Sequence, residues 1–436
     1  MDFPIHPGFF GAGRWPSKVF SLSLFLSSAL KPRQRALCLM LALTCASLVI
    51  LQPVAYATYL TEWYGTVPVL GYSVSNYPSS VAALSCIAGG ARVFCIGGLN
   101  STSQTTNSTY AAPLTTLGTG GWAKLPDYPT GIAGQSCIVY SGYVYCVGGL
   151  QVAATGSTGS QITSAVYFAA LTPSGMGAWT RTTDYPFDVY DQSCAVIQGY
   201  VYCVGGVSSN SREVSAVEYA PLSPSGITRW MTATSYPTVV AAESCAGYAA
   251  SLYCVGGLNA TSIAVSTVYH GSPNGSELSW VGGADYPTPV AGQSCLVQYP
   301  GLYCIGGLNS TSYATRSVYF SYLNDTQLNW IGSAAYPVDV QGQSCVAYSS
   351  QIYCIGGYNG TEFIGSVYFS SIGPMQVTPV EATSSTKVAT SAIEAGASST
   401  NTSSYALAMD LVLAGTAIAS VAIIAFLGPD KRGTAR

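Results

Sequence analysis

The chain has 436 residues, room for two or three ordinary domains or one large repeat domain. Only 8% of them are Asp, Glu, Lys or Arg, against roughly 25% in a typical soluble domain. Between Thr58 and Ser404 seven basic residues stand against fifteen acidic ones, so this segment lacks the positive footprint that a nucleic-acid binder needs.

At the N-terminal end, Arg33 and Arg35 precede an apolar run from Ala36 to Leu51, followed by Ala-Tyr-Ala at 55–57. A charged region, an apolar region and a small-residue cleavage site predict a secretory leader over residues 1–57. Cys38 and Cys45 fall inside it and are expected to be absent from the mature chain.

From residue 58 the sequence repeats. Tyr-Pro pairs begin at Tyr77, Tyr128, Tyr185, Tyr236, Tyr286 and Tyr336, spaced by 51, 57, 51, 50 and 50 residues. Each is followed by two cysteines nine positions apart: Cys86 and Cys95, Cys137 and Cys146, Cys194 and Cys203, Cys245 and Cys254, Cys295 and Cys304, Cys345 and Cys354. One Val or Ile and then Gly-Gly follow the second cysteine. A polar loop comes next, then a short strand such as Val318-Tyr319. Trp122, Trp179, Trp230, Trp280 and Trp330 each stand six residues before the next Tyr-Pro. Short strands at even spacing, punctuated by Gly and Pro, predict an all-β architecture. The last unit has no Trp after its strand, whereas Trp63 lies ahead of the first unit. The segment around Trp63 is therefore expected to supply the outer strand of the sixth unit, joining the two ends and hiding two sheet edges.

A period near 50, a Gly-Gly after an apolar strand and a Trp later in the unit resemble the kelch repeat over roughly Glu62 to Ser371. The resemblance implies a six-bladed β-propeller, each repeat forming one four-stranded blade. It also implies partner binding as the main activity. The chain departs from that family in its cysteine pairs, in lacking the arginine positions frequent there, and in carrying none of the partner domains of intracellular kelch proteins.

The cysteine spacing has a geometric reading. With Ser141-Gly142 as a two-residue turn, Tyr140 faces Tyr143, Val139 faces Val144 and Cys137 faces Cys146. Counting outward from the turn, the cysteines fall on a non-hydrogen-bonded pair, with Cα atoms about 4.5 Å apart. That lies within the roughly 4.4–6.8 Å that disulfides span. Six disulfides within blades are expected; zinc would need four ligands close together, and these pairs lie on separate blades. Disulfides place the domain outside the reducing cytoplasm. Sequons at Asn100, Asn107, Asn259, Asn274, Asn309, Asn324, Asn359 and Asn401 match that compartment, as sites for N-glycans on an archaeal or eukaryotic cell surface.

Beyond the propeller, expected over 58–372, residues 373–404 are rich in Ser, Thr, Ala and Val and read as a stalk. Residues 405–427 are apolar apart from Asp410, long enough for one transmembrane helix. Lys431 and Arg432 in the tail over 428–436 favour the cytoplasmic side.

His270 is the sole histidine after the leader. It stands where the next repeat has Phe320, so a histidine-based triad or metal site is not expected. The acids Asp188, Asp191 and Glu243 (the last in place of Gln in other repeats) precede innermost strands and are the ligand-binding candidates. Asp339 occupies the repeat position of Asp188. Such acids suit ligand binding, calcium or acid–base work; no other cofactor is expected, and no catalytic residue is assigned. The expected function is recognition of an extracellular protein or glycan by a membrane-anchored surface propeller, not catalysis. The alternatives are a hydrolase or lyase acting on polysaccharide, and a structural component of the cell envelope.

Overall fold

The computed structural model of the chain describes residues 58–65, 74–152, 160–172, 175–274, 277–323 and 328–374. They form six antiparallel sheets arranged as the blades of a propeller. Blade 1 comprises Ser85–Gly89, Arg92–Ile96, Thr109–Thr115 and Ala123–Lys124, from the innermost strand outward. Blade 2 comprises Ser136–Tyr140, Tyr143–Val147, Val166–Thr172 and Thr180–Arg181. Blade 3 comprises Ser193–Ile197, Tyr200–Val204, Val217–Pro221 and Met231–Thr232. Blade 4 comprises Ser244–Tyr248, Ser251–Val255, Val268–Asn274 and Glu277–Gly282. Blade 5 comprises Ser294–Gln298, Gly301–Ile305, Val318–Tyr322 and Ile331–Gly332.

Blade 6 takes Ser344–Tyr348, Gln351–Ile355 and Val367–Pro374 from the end of the repeat region, and its outer strand, Thr58–Tyr64, from the beginning. Thr58 pairs with Pro374 and Tyr64 with Phe369. The closure expected from Trp63 is thus present, and it covers edges that would otherwise be open to pairing with another chain. The last described strand runs from Val367 to Pro374. The leader, the stalk, the transmembrane helix and the tail lie outside the described residues. Among the described residues no helix is long and apolar enough to cross a membrane.

The second strand of every blade is rich in β-branched and aromatic residues, which suit a pleated, buried surface; Val144, Tyr145, Cys146 and Val147 are all buried. The core consists of apolar wedges between adjacent blades. One wedge joins Ile138, Tyr145 and Val147 of blade 2 to Cys194, Val201 and Cys203 of blade 3. Another joins Tyr353 and Phe369 of blade 6 to Val93 and Cys95 of blade 1. The hydrophobic effect therefore acts across blade boundaries and closes the ring.

All six disulfides form within blades, Cys137 with Cys146 and likewise in the other five, with Cα separations of 4.0–4.1 Å. The register is the one expected, with Cys137 opposite Cys146 and Val139 opposite Val144.

The Gly-Gly pair is explained by crowding and by φ. Gly256 and Gly257 have φ of +63° and +105°, a region that glycine enters without steric cost. A Cβ on Gly256 would lie 2.3 Å from Val290 O, and one on Gly257 2.4 Å from a Val240 methyl. The close approach lets the Gly257 amide donate to Val290 O of the next blade at 2.8 Å.

Candidate functional site

Inter-blade hydrogen bonds build the central axis. The serine that opens each innermost strand accepts, through Oγ, the amide N–H of the following blade's first cysteine. Cys137 N bonds Ser85, Cys194 N bonds Ser136, Cys245 N bonds Ser193, Cys295 N bonds Ser244, Cys345 N bonds Ser294, and Cys86 N bonds Ser344, all at 2.8–3.0 Å. The cycle closes on itself, so the Ser of the repeated Gln-Ser-Cys has a structural function.

A second cycle lies two residues earlier. Ala83, Gly134, Asp191, Ala242, Gly292 and Gly342 all have φ between +52° and +62°. Each donates its amide N–H to the carbonyl of the equivalent residue one blade back, at 2.8–3.0 Å, and Ala83 donates to Gly342 to complete the ring. Five members are Ala or Gly. Asp191 alone carries a functional group, and Asp is among the non-glycine residues that tolerate left-handed backbone best.

The glutamine of Gln-Ser-Cys links blades too. Gln135, Gln192, Gln293 and Gln343 donate Nε2–H to Ile96 O, Val147 O, Val255 O and Ile305 O at 2.6–2.8 Å. Blade 1 has Leu84 at this position and blade 4 has Glu243. A Cβ built on Gly97, Gly148, Gly256 or Gly306 would meet a Gln Nε2 at 2.7–3.2 Å; at Gly205 it meets Glu243 Oε1 at 3.0 Å. Glu243 Oε1 therefore stands where the other blades place an Nε2 donor, and the repeat equivalent of the carbonyl that Nε2 serves is that of Val204. An ionised carboxylate would set oxygen against oxygen there, whereas a carboxylic acid can donate its O–H. Burial pushes the Glu243 carboxyl up to about 8, against the pull of the Glu243 and Ser193 amides and with help from the charge of Asp191. Burial pushes Asp191 up to about 6. Of the two, Glu243 is the one held more strongly as the neutral acid.

Asp191 and Glu243 line one axial cavity of about 490 Å³. The cavity wall also includes the four glutamines, Ala83, Gly134, Ala242, Gly292 and Gly342, with Leu99, Leu258, Leu308, Tyr358 and Phe363 from the loops that follow Gly-Gly. Those loops are fastened to the segments before the innermost strands by bridges such as Ala241 to Leu258 and Ala291 to Leu308. Asp191 keeps part of its surface open, while Glu243 is 5% exposed.

The structure thus brings together two of the three acids singled out in the sequence. Asp188 lies elsewhere, in a groove lined by Gln161, Tyr190, Ser209 and Ser211. The chain turns through Val189-Tyr190, paired with Val207-Ser208, and separates Asp188 from the axis. Its repeat equivalent Asp339 pairs with Arg316 at 3.2 Å. His270 stacks on Tyr253 with ring centroids 5.9 Å apart, as Phe320 does on Tyr303 at 5.4 Å. Among the described residues no group of three or more His, Cys, Asp or Glu is placed to hold a metal ion.

The sequon asparagines of four loops share one turn. Asn309 Oδ1 accepts from Thr311 N, Thr311 Oγ1 and Tyr313 N at 3.0, 2.7 and 3.0 Å. Asn100, Asn259 and Asn359 repeat the arrangement with Thr102, Thr261 and Thr361. The Thr of Asn-x-Thr thus serves the turn itself. Asn107 and Asn274 are exposed outside these turns, and Asn324 and Asn401 lie outside the described residues.

No protein-family model matches the sequence, and no curated protein does. Among solved structures, one titled "Structure of YjhT" is similar with a TM-score of 0.57 and 14% identity, over 70% of this chain and 98% of that one. At that identity the likeness shows the fold alone: this chain defines a six-bladed propeller with a disulfide in every blade.

Proposed function

We propose that the protein is a kelch-like recognition module of the cell surface, held by a C-terminal membrane anchor, that binds a protein or glycan through the axial face around Asp191. The observation that carries this reading is the break in symmetry at the axis. Five of the six residues in the backbone ring are Ala or Gly, and the sixth presents a carboxylate to an open cavity. The six disulfides fit an oxidising exterior.

Two carboxyl groups with separated pKa values are the feature that favours a polysaccharide-acting enzyme. Against it, both Glu243 oxygens are buried, so that acid does not reach a substrate held in the cavity. Asp191 alone suits binding better than acid–base exchange.

The test is chemical cross-linking on intact cells, followed by recovery of the protein and peptide mapping. Recovery of one partner joined through the loops after Gly-Gly supports the reading. Absence of any partner, together with no binding of the purified full chain to a glycan array, defeats it.

A further inference from the structure

We propose that the axial cavity accepts a primary alkylammonium group, with Asp191 as its counter-ion and the loop side chains packed around its aliphatic stem. The inference rests on the recognition reading and specifies the chemistry of the ligand.

Asp191 is the one charged side chain with open surface on the cavity wall. Among the described residues no Lys, Arg or His lines it, and neither an opposite charge nor a hydrogen bond offsets the burial of the Asp191 carboxyl. Gln135, Gln192, Gln293 and Gln343 each commit Nε2–H to a neighbouring blade. Their Oε1 atoms are buried and find no partner among the described residues. A carboxylate in such surroundings is uncompensated, which is costly unless a cation arrives. An anionic ligand would meet Asp191 with no opposite charge in reach. A neutral sugar could donate hydroxyls but would leave the charge in place.

The choice between a metal and an organic cation follows from the remaining wall. Calcium takes about six to eight oxygen ligands, and Asp191 is the one carboxylate with open surface here. Leu99, Leu258, Leu308, Tyr358 and Phe363 form a half-buried apolar collar around the same space. Apolar collar and lone carboxylate complement a chain of methylenes ending in an ammonium. Two sources share that chemistry: a lysine side chain on a partner protein, and a free polyamine.

The experiment titrates the purified full chain at neutral pH with Nα-acetyl-lysine methylamide and with cadaverine, using calorimetry. At least one is expected to bind, and the tighter of the two identifies the source. The Nε-acetylated form of the lysine probe, which has no charge, is expected not to bind. Asp191→Asn keeps a residue suited to left-handed backbone and is expected to weaken binding about tenfold or more. No binding of either ammonium probe overturns the inference, as does equal binding of the acetylated probe, unchanged affinity in Asp191→Asn, or calcium binding in their stead. Partner recovery through the axial loops on cells, with both ammonium probes ignored, would retain the recognition reading and discard this one.

Discussion

Trp63 and Tyr336 pack edge to face with ring centroids 4.9 Å apart, and Trp63 Nε1–H donates to Ala334 O at 3.0 Å. The same pair recurs within each other blade: Trp122 on Tyr77, Trp179 on Tyr128, Trp230 on Tyr185, Trp280 on Tyr236 and Trp330 on Tyr286, at 4.8–4.9 Å. Each indole N–H also bonds a carbonyl two residues before its Tyr. One contact thus seats the outer strand of every blade, and in blade 6 it also joins the two ends of the propeller.

Trp63→Ala should therefore cost about 3 kcal/mol and loosen a specific place. Denaturant unfolding is expected to show the loss of stability. Amide exchange should quicken first in Val367–Pro374, the partner of the N-terminal strand. Uniform acceleration over all blades would count against this strand as the closure.

Each disulfide closes a short hairpin, so in the chain-entropy picture its contribution is at most about 2–3 kcal/mol. Peptide mapping without reduction should give six bridges, among them Cys295 to Cys304. Replacing that one pair by alanine should lower stability by no more than this amount and leave the fold intact. Discovery of a bridge between blades would refute the register.

The pairings within one repeat were legible in the sequence because hairpin register depends on local spacing. The Gly-Gly and the displaced Trp were legible for a related reason: a missing element stands out against five copies. The axial cycles were not. The partner of Ser85 Oγ is the amide of Cys137, in the next blade, and Gln-Ser-Cys alone does not show which neighbour its side chains will reach. The separation of Asp188 from Asp191 escaped similarly, since the two stand three positions apart but the chain turns between them. The Glu-for-Gln exchange at 243 was visible as a departure from the repeat; its meaning required knowing that Gln donates to a carbonyl.

That exchange predicts a pH effect. The folded-state pKa of Glu243 is raised from 4.5 to about 8. The native state therefore holds a proton that the unfolded chain has released across this interval. The associated stability is fully present below about pH 4.5 and is lost as pH rises toward about 8. Glu243→Gln supplies a permanent N–H donor in its place. The variant should match the parent in acid and exceed it above about pH 8, by a difference on the order of 5 kcal/mol. Equal stability of the two at alkaline pH would show that Glu243 is not held as the neutral acid.

The turn built on Asn309 separates the roles of the side chain and of any glycan. Asn309→Asp retains the acceptor oxygen and removes the glycan site. Asn309→Ala loses three hydrogen bonds and should destabilise by about 1–2 kcal/mol. Proteolytic nicking between Asn309 and Tyr313 is expected in the Ala variant and not in the Asp variant. Equal nicking in both would assign the turn's stability to something other than Oδ1.

Recognition is proposed to take place at the axial end where Asp191 lies. Hydroxyl-radical footprinting of the protein on intact cells, compared with the purified full chain, tests it most directly. Tyr358 and Phe363 line the axial cavity, whereas Tyr299, at the hairpin tip beyond Ser294–Gln298, is 71% exposed at the far end of an innermost strand. Tyr358 and Phe363 should be protected on cells while Tyr299 reacts as it does in the purified chain. Protection of Tyr299 with Tyr358 and Phe363 unchanged would place the contact at the opposite end and contradict the proposal.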